Sequence, residues 1–179
     1  MAPHIALHEI AAPFERRPIS FAKKEQLEPA FLALNPEGKV PTLLVDGRPL
    51  TEVAAILFYL AKSFPQAKLL PDGVEAEAQA VSWMSFAAAT LHAARRLGGE
   101  AGRAAFALAD KKLGTREWVL GHYSIADIHL FRLYWRFRPL LQAAPETMPA
   151  LEAHYARMMN RSAVKRTIEV ESAIGYELP

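Results

Sequence analysis

The stretch Asn35–Leu60, NPEGKVPTLLVDGRPLTEVAAILFYL, constrains this chain more than any other. Asn35-Pro36-Glu37-Gly38 reads as a turn, because Pro fixes φ and Gly tolerates φ > 0. Val40-Pro41 stands at the mouth of an apolar run, Thr42-Leu43-Leu44-Val45. Asp46-Gly47 is a strong hairpin signal, and Arg48-Pro49-Leu50-Thr51 reads as the returning strand. Glu52 then opens a helix that places Ala55, Ile56, Tyr59 and Leu60 on one face. The order is turn, strand, hairpin, strand, helix.

Two features here ask for more than packing. Pro41 enters a strand, where a missing N–H would damage a central ladder. A cis Val40–Pro41 bond would turn the chain sharply and aim the backbone of Val40 outward; a trans proline at a strand start is the plainer alternative. Thr51-Glu52-Val53 lies at a helix start, where free N–H groups and the helix dipole favour a carboxylate ligand. Glu52 could equally do no more than complement the dipole of its own helix.

Composition narrows the classes. The chain of 179 residues suits one large domain or two small ones, and at 51% hydrophobic and 22% charged it can bury a real core. With no cysteine it holds no disulfide, no thiolate metal site and no cysteine nucleophile of its own. No signal-peptide pattern opens it, and no apolar run approaches the roughly 18 residues of a membrane span. A cytoplasmic protein without a membrane partner is expected. A formal charge of +2 gives no reason to expect a nucleic-acid partner.

Met1–Ala12 reads as a helix, with Pro3 in its first turn. His4 and His8 lie one turn apart, but a zinc site needs three or four ligands, so no metal is expected. Phe14–Phe21 alternates around Pro18 and reads as an edge strand; Lys23 to Leu34 reads as a short helix or irregular arm. Ser63–Gly73 is rich in breakers, and Phe64 and Leu69-Leu70 are expected to wedge between two halves. Glu75–Leu97 predicts a helix with Val81, Met84, Ala88 and Leu91 inward, broken by Gly98-Gly99. A second helix, Glu100–Leu113, turns Phe106 and Leu113 inward. Ser124-Ile125-Ala126-Asp127 has the form of a capping box, and Ile128 to Phe137 follows as a largely buried helix. Pro149–Met159 and Ala163–Ala173 supply the last helices. Arg132, Arg136 and Arg138 suit the end of their helix, Arg95, Arg96, Lys111 and Lys112 read as solvated ends, and Tyr134, Trp135 and Phe137 as core or subunit interface.

Taken jointly, N-P-x-G-x-V-P-x-L (Asn35 to Leu43), the Asp-Gly hairpin and L-T-E-x-x-A-I-x-x-Y-L (Leu50 to Leu60) resemble the glutathione-site half of the glutathione transferase family. Ala2-Pro3-His4-Ile5-Ala6-Leu7 is similar to the first helix of its bacterial members, and Ser124–Ile128 to the S-x-A-D folding signature of its helical domain. The resemblance implies an α/β thioredoxin-like N-terminal domain over 1–62, a linker over 63–74 and an all-α C-terminal helical domain over 75–179. It implies a cis Pro41 and a glutathione site of Lys39, Val40, Pro41, Glu52 and Val53. In that site the backbone of Val40 pairs with the cysteinyl part, and Glu52 with the N–H of Val53 holds the γ-glutamyl end. Many members carry Ser where this chain has Val53, so only the backbone N–H can serve there.

His92, in Thr90-Leu91-His92, matches a cleft-lining histidine of beta-type members, and the Lys that often follows is Ala93 here. Its imidazolium could stabilise a thiolate, since opposite charge lowers a thiol pKa. The implied reaction is attack of the glutathione thiolate on a small electrophile, by a homodimer; a non-catalytic glutathione-binding or interaction module of the same fold is the alternative. The chain opens already inside the first helix. The family's first strand and the loop with its catalytic Tyr, Ser or Cys are absent from it. A longer sequence carrying that strand is expected, and without it weak glutathione binding and little turnover.

Overall fold

The computed structural model describes residues 1–94 and 99–175. Arg95, Arg96, the Leu97 end of the first long helix, Gly98 and the last four residues of the chain lie outside them. The elements are α1 (Ala2–Glu9), α2 (Pro29–Leu32), β1 (Leu43–Val45), β2 (Arg48–Leu50), α3 (Val53–Ser63), α4 (Val74–Phe86), α5 (Gly99–Leu113), α6 (Ile125–Leu141), α7 (Pro149–Asn160) and α8 (Ser162–Ile174). Residues Ala87–His92 continue α4 as a π-helical turn.

The spine is α6. Its first seven residues are all buried, a pattern that only a helix surrounded by others can hold. Ile125, Ile128 and Phe131 pack with Ile5 of α1, Leu57 and Leu60 of α3, Met84 of α4, Met158 of α7 and Val164 of α8. Leu130, Leu133, Tyr134 and Phe137 pack with Trp83 and Leu91, with Phe106 and Leu113 of α5, and with Leu151 of α7. Leu69, from the breaker-rich connection, is buried in the first cluster, and its carbonyl accepts the Ile125 N–H at 2.8 Å. One continuous core therefore runs from α1 and α3 into the helical part.

The start of α6 is a buried polar cluster. Ser124 and Asp127 form the expected capping box. Asp127 is fully buried, and its two oxygens accept from four donors. Oδ2 takes the Ser124 N–H and the Ser124 hydroxyl, both at 2.9 Å. Oδ1 takes the Val119 N–H at 2.8 Å and Nε2 of His154 at 3.0 Å. The carboxylate thus ties α6 to the segment before it and to α7.

Three packing expectations change. The sheet among the described residues is the single antiparallel pair β1–β2, with Leu43 opposite Leu50 and Val45 opposite Arg48. Phe14–Phe21 is not a strand: no ladder partner lies beside it, and Pro13 and Pro18 remove two donors. In α3 the buried residues are Ile56, Leu57, Leu60 and Ala61, which leaves Ala55 and Tyr59 outside. In α4 the inward stripe is Ala80, Trp83, Met84, Ala87 and Leu91, so Val81 is 44% exposed and Ala88 faces solvent. A 3.6-residue period permits steps of three or four, and the core chose the step that buries Trp83.

His129 of α6 is the second buried ionisable group of the spine. It is 4% exposed, and its Nδ1 has no hydrogen-bond partner. Burial, then the positive Arg132 and His92 nearby, push its pKa down to about 3.

Two outcomes follow. Asp127→Ala strands four donors and should destabilise the fold by about 3–5 kcal/mol, read as a lowered urea midpoint at unchanged slope. His129 stays neutral when folded but gains a proton when unfolded below 6.5. Stability should therefore fall as pH drops below 6.5, by about 1.4 kcal/mol per pH unit from this group, over and above other titrations. In His129→Leu that component should vanish between about pH 6 and 5, measured as the difference in urea stability from the parent chain.

Candidate functional site

The hairpin end is built from Asn35 upward. Asn35 is buried, and its Nδ2 donates to the Lys39 carbonyl at 2.7 Å while its Oδ1 accepts the Glu37 N–H at 3.1 Å. This closes the Asn35–Lys39 loop, as an Asx turn does. Gly38 sits at φ +61 with the Gln26 carbonyl and a Leu27 methyl 3.1 Å from where a Cβ would stand, so the turn needs glycine on both counts. The turn delivers Lys39 and Val40 to the surface; Val40 is 42% exposed, and the Val40–Pro41 peptide is cis.

The β1–β2 register does the rest. Leu43 faces Leu50 at the open end of the hairpin, so Val40 and Pro41, just before β1, and Glu52 and Val53, just after β2, flank that same end. Four of the five predicted glutathione contacts thus gather at one end of one hairpin, with Lys39 next to them. Glu52 is exposed and precedes α3 as its N-cap, at φ 66, ψ 121. A residue with a Cβ held there stores about 1–3 kcal/mol of strain. No side chain caps α3, unlike α6. The N–H of Val53 and its neighbours therefore opens toward the same end as Val40, with the positive pole of the helix behind it. Chemically, this end can pair with an extended peptide backbone along Val40 and receive a carboxylate at Val53.

His92 belongs to another part of the molecule. It ends the π-helical turn, which packs on α4, α5 and α6, and its exposed ring lies 6.4 Å from that of Phe137. The structure brings Lys39, Val40, Pro41, Glu52 and Val53 together on the hairpin and sets His92 on the helical side. His129 is the ionisable residue that the sequence reading missed. It stands within electrostatic reach of His92 and Arg132. The signal was available: a histidine set between Ile128 and Leu130 in an otherwise apolar run. Of the other histidines, Nδ1 of His4 lies 2.6 Å from Glu171, and His8 meets the ring of Phe14 edge-on. Arg138 lies in the last turn of α6, as expected, where Glu152 also holds it at 2.7 and 2.9 Å.

Known proteins resemble this chain over most of its length. The sequence profile "Glutathione S-transferase, N-terminal domain" matches residues 1–62, and "Glutathione S-transferase, C-terminal domain" matches residues 98–162. Glutathione S-transferase GST-4.5 of Xanthomonas campestris pv. campestris is 30% identical across 96% of this chain and 93% of its own length. Glutathione S-transferase GstA of Escherichia coli O157:H7 is 32% identical across 99% and 93%. Among solved structures, a glutathione transferase homolog from Sulfitobacter with bound glutathione superposes with a TM-score of 0.87 at 29% identity, covering 94% of this chain and 91% of that one. The bacterial beta class enzyme of Sphingomonas chungbukensis gives 0.84 at 31%, covering 94% and 92%. The small sheet with its helices is the thioredoxin-like N-terminal part of that fold, the remaining helices are its C-terminal part, and the chain belongs to the glutathione S-transferase family.

Proposed function

We propose that this chain binds glutathione at the Val40–Val53 end of the hairpin and transfers its thiol to small electrophiles. The observation that carries this is that Val40 and Pro41, before β1, and Glu52 and Val53, after β2, flank the open end of one hairpin, with no side chain capping α3. The Val40 backbone pairs with the cysteinyl unit. The Val53 N–H takes the γ-glutamyl carboxylate, Glu52 takes the ammonium beside it, and Lys39 lies at the rim. Glutathione is a co-substrate, consumed when its sulfur forms a bond to carbon.

The chemical requirement is a thiolate. A free thiol of pKa about 8.5 is only a few per cent ionised at pH 7. Each unit by which a nearby cation lowers that pKa gives close to tenfold more nucleophile. His92 is the residue we assign to this. The thiolate attacks carbon, and the displaced group leaves with its electron pair.

Residues 1–62 form the glutathione-side domain in this reading, 63–74 the linker and 75–179 the helical domain. The exposed apolar Tyr59 on α3 and Val81 on α4, joined by the Lys62–Glu77 bridge at 2.8 Å, offer a face for a second copy, so the unit is a homodimer. The cytoplasm, with its glutathione pool, is the compartment this reading implies. A second reading, a non-catalytic glutathione-binding or interaction module of the same fold, is favoured by Val53, which offers no hydroxyl to the ligand.

Glu52→Gly separates site from scaffold. Glycine accepts the positive φ, so stability should rise by about 1 kcal/mol in urea while glutathione binding, titrated into the millimolar range by calorimetry, weakens about tenfold. Equal binding by both proteins would remove glutathione from this hairpin. His92→Ala should leave glutathione affinity within about twofold but raise the pKa of the bound thiol by about one unit, read from thiolate absorbance near 240 nm against pH. An unchanged pKa would leave the second reading standing.

A further inference from the structure

A concavity of about 470 Å³, lined by Trp118, Arg157, Asn160, Arg161 and Ser162, takes no part in the reaction above. Its two arginines are fixed by the same edge of the guanidinium. Arg161 donates from Nε and Nη2 to the two carboxylate oxygens of Glu9, at 2.7 and 3.0 Å. Its planar group lies 3.4 Å over the Tyr123 ring and 5.7 Å from that of Trp118. Arg157 donates from Nε and Nη2 to the Glu117 carbonyl, at 3.1 and 2.7 Å, and also stands 5.7 Å from the Trp118 ring. Each arginine therefore keeps its Nη1 without a hydrogen-bond partner among the described residues, at a shared concavity.

The charges do not cancel. Glu9 neutralises the Arg161 guanidinium, and Tyr123 also donates its hydroxyl to the same carboxylate at 2.9 Å. Arg157 donates to a carbonyl, not a carboxylate, and forms no ion pair among the described residues. Long arginine side chains normally lose rotamer freedom when they bind; here both are held before any ligand arrives.

We propose that this concavity is an oxyanion site for a small phosphate-bearing molecule, with the Nη1 groups of Arg157 and Arg161 donating to the phosphate oxygens. A tetrahedral dianion presents several oxygens to two forks and answers the unpaired charge of Arg157, which a single carboxylate does less well. Asn160 and Ser162 border the same concavity and offer polar contacts to an organic body attached to the phosphate. The proposal stands apart from the glutathione reading, since it uses none of the same residues.

The test titrates the whole chain with inorganic phosphate and with phenyl phosphate, against sodium chloride at matched ionic strength, following thermal stability and calorimetric binding. A saturable rise in Tm beyond the chloride control is expected, larger for phenyl phosphate. Arg157→Gln should weaken binding at least tenfold, Arg157→Lys should restore part of it, and both should keep the parent's glutathione binding. Asn160→Asp sets a carboxylate at the rim without touching either guanidinium, and should weaken binding to a similar degree even if Arg157→Gln folds poorly. Absence of a saturable rise, equal binding in both Arg157→Gln and Asn160→Asp, or benzoate binding as tightly as phenyl phosphate would overturn the assignment.

Discussion

The buried carboxylate of Asp127 is the interaction on which the rest of the structure hangs. It is shielded from water, so it stays only because four donors converge on it. Two of them, from Ser124, fix where α6 begins. One, from Val119, fixes the path of the segment before it, and one, from His154, fixes α7. An unpaired charge in that position would cost several kcal/mol, so the four contacts exist together or the region rearranges. Both halves of the core are then packed on the helix that Asp127 starts. The packing of α1 and α3 on Ile125, Ile128 and Phe131 therefore rests on the helix start that this polar contact fixes.

The hairpin end spends some of that stability. Glu52 sits where a side chain with a Cβ is disfavoured, and α3 starts without a cap. Either feature would be corrected easily in a helix whose only task was to pack, since Gly, Ser or Asp at the boundary is cheap. Their presence side by side, near an exposed Val40, is a conformation held by its surroundings. Asn35 supplies part of that holding, because its buried amide fixes the turn from both ends.

The spine carries His129 and Arg132, and the π-helical turn brings His92 toward them. Burial keeps His129 uncharged, so it adds polarity without repelling its neighbours. A π-helical turn is a frequent device for re-aiming a side chain.

What the sequence determined by itself is mostly local. The Asn35 turn, the Asp46-Gly47 hairpin, the start of α3 and the capping box at Ser124 are set by residues within a few positions of one another, and each appears where the residues place it. The family pattern rests on the same local chemistry, which is why Lys39, Val40, Pro41, Glu52 and Val53 stand out as candidates in the sequence. Tertiary structure decided the non-local part. Phe14–Phe21 alternates like a strand, but a strand exists only where another chain segment completes its ladder, and none does among the described residues. Val81 and Tyr59 fit a helical stripe as well as Trp83 and Leu57 do, and only the shape of the core chose between them. The role of Asp127 beyond its cap, the burial of His129 and the clamp of Arg161 on Glu9 join residues far apart in the chain. No local pattern encodes such contacts; they arise when close packing brings distant groups into hydrogen-bonding range.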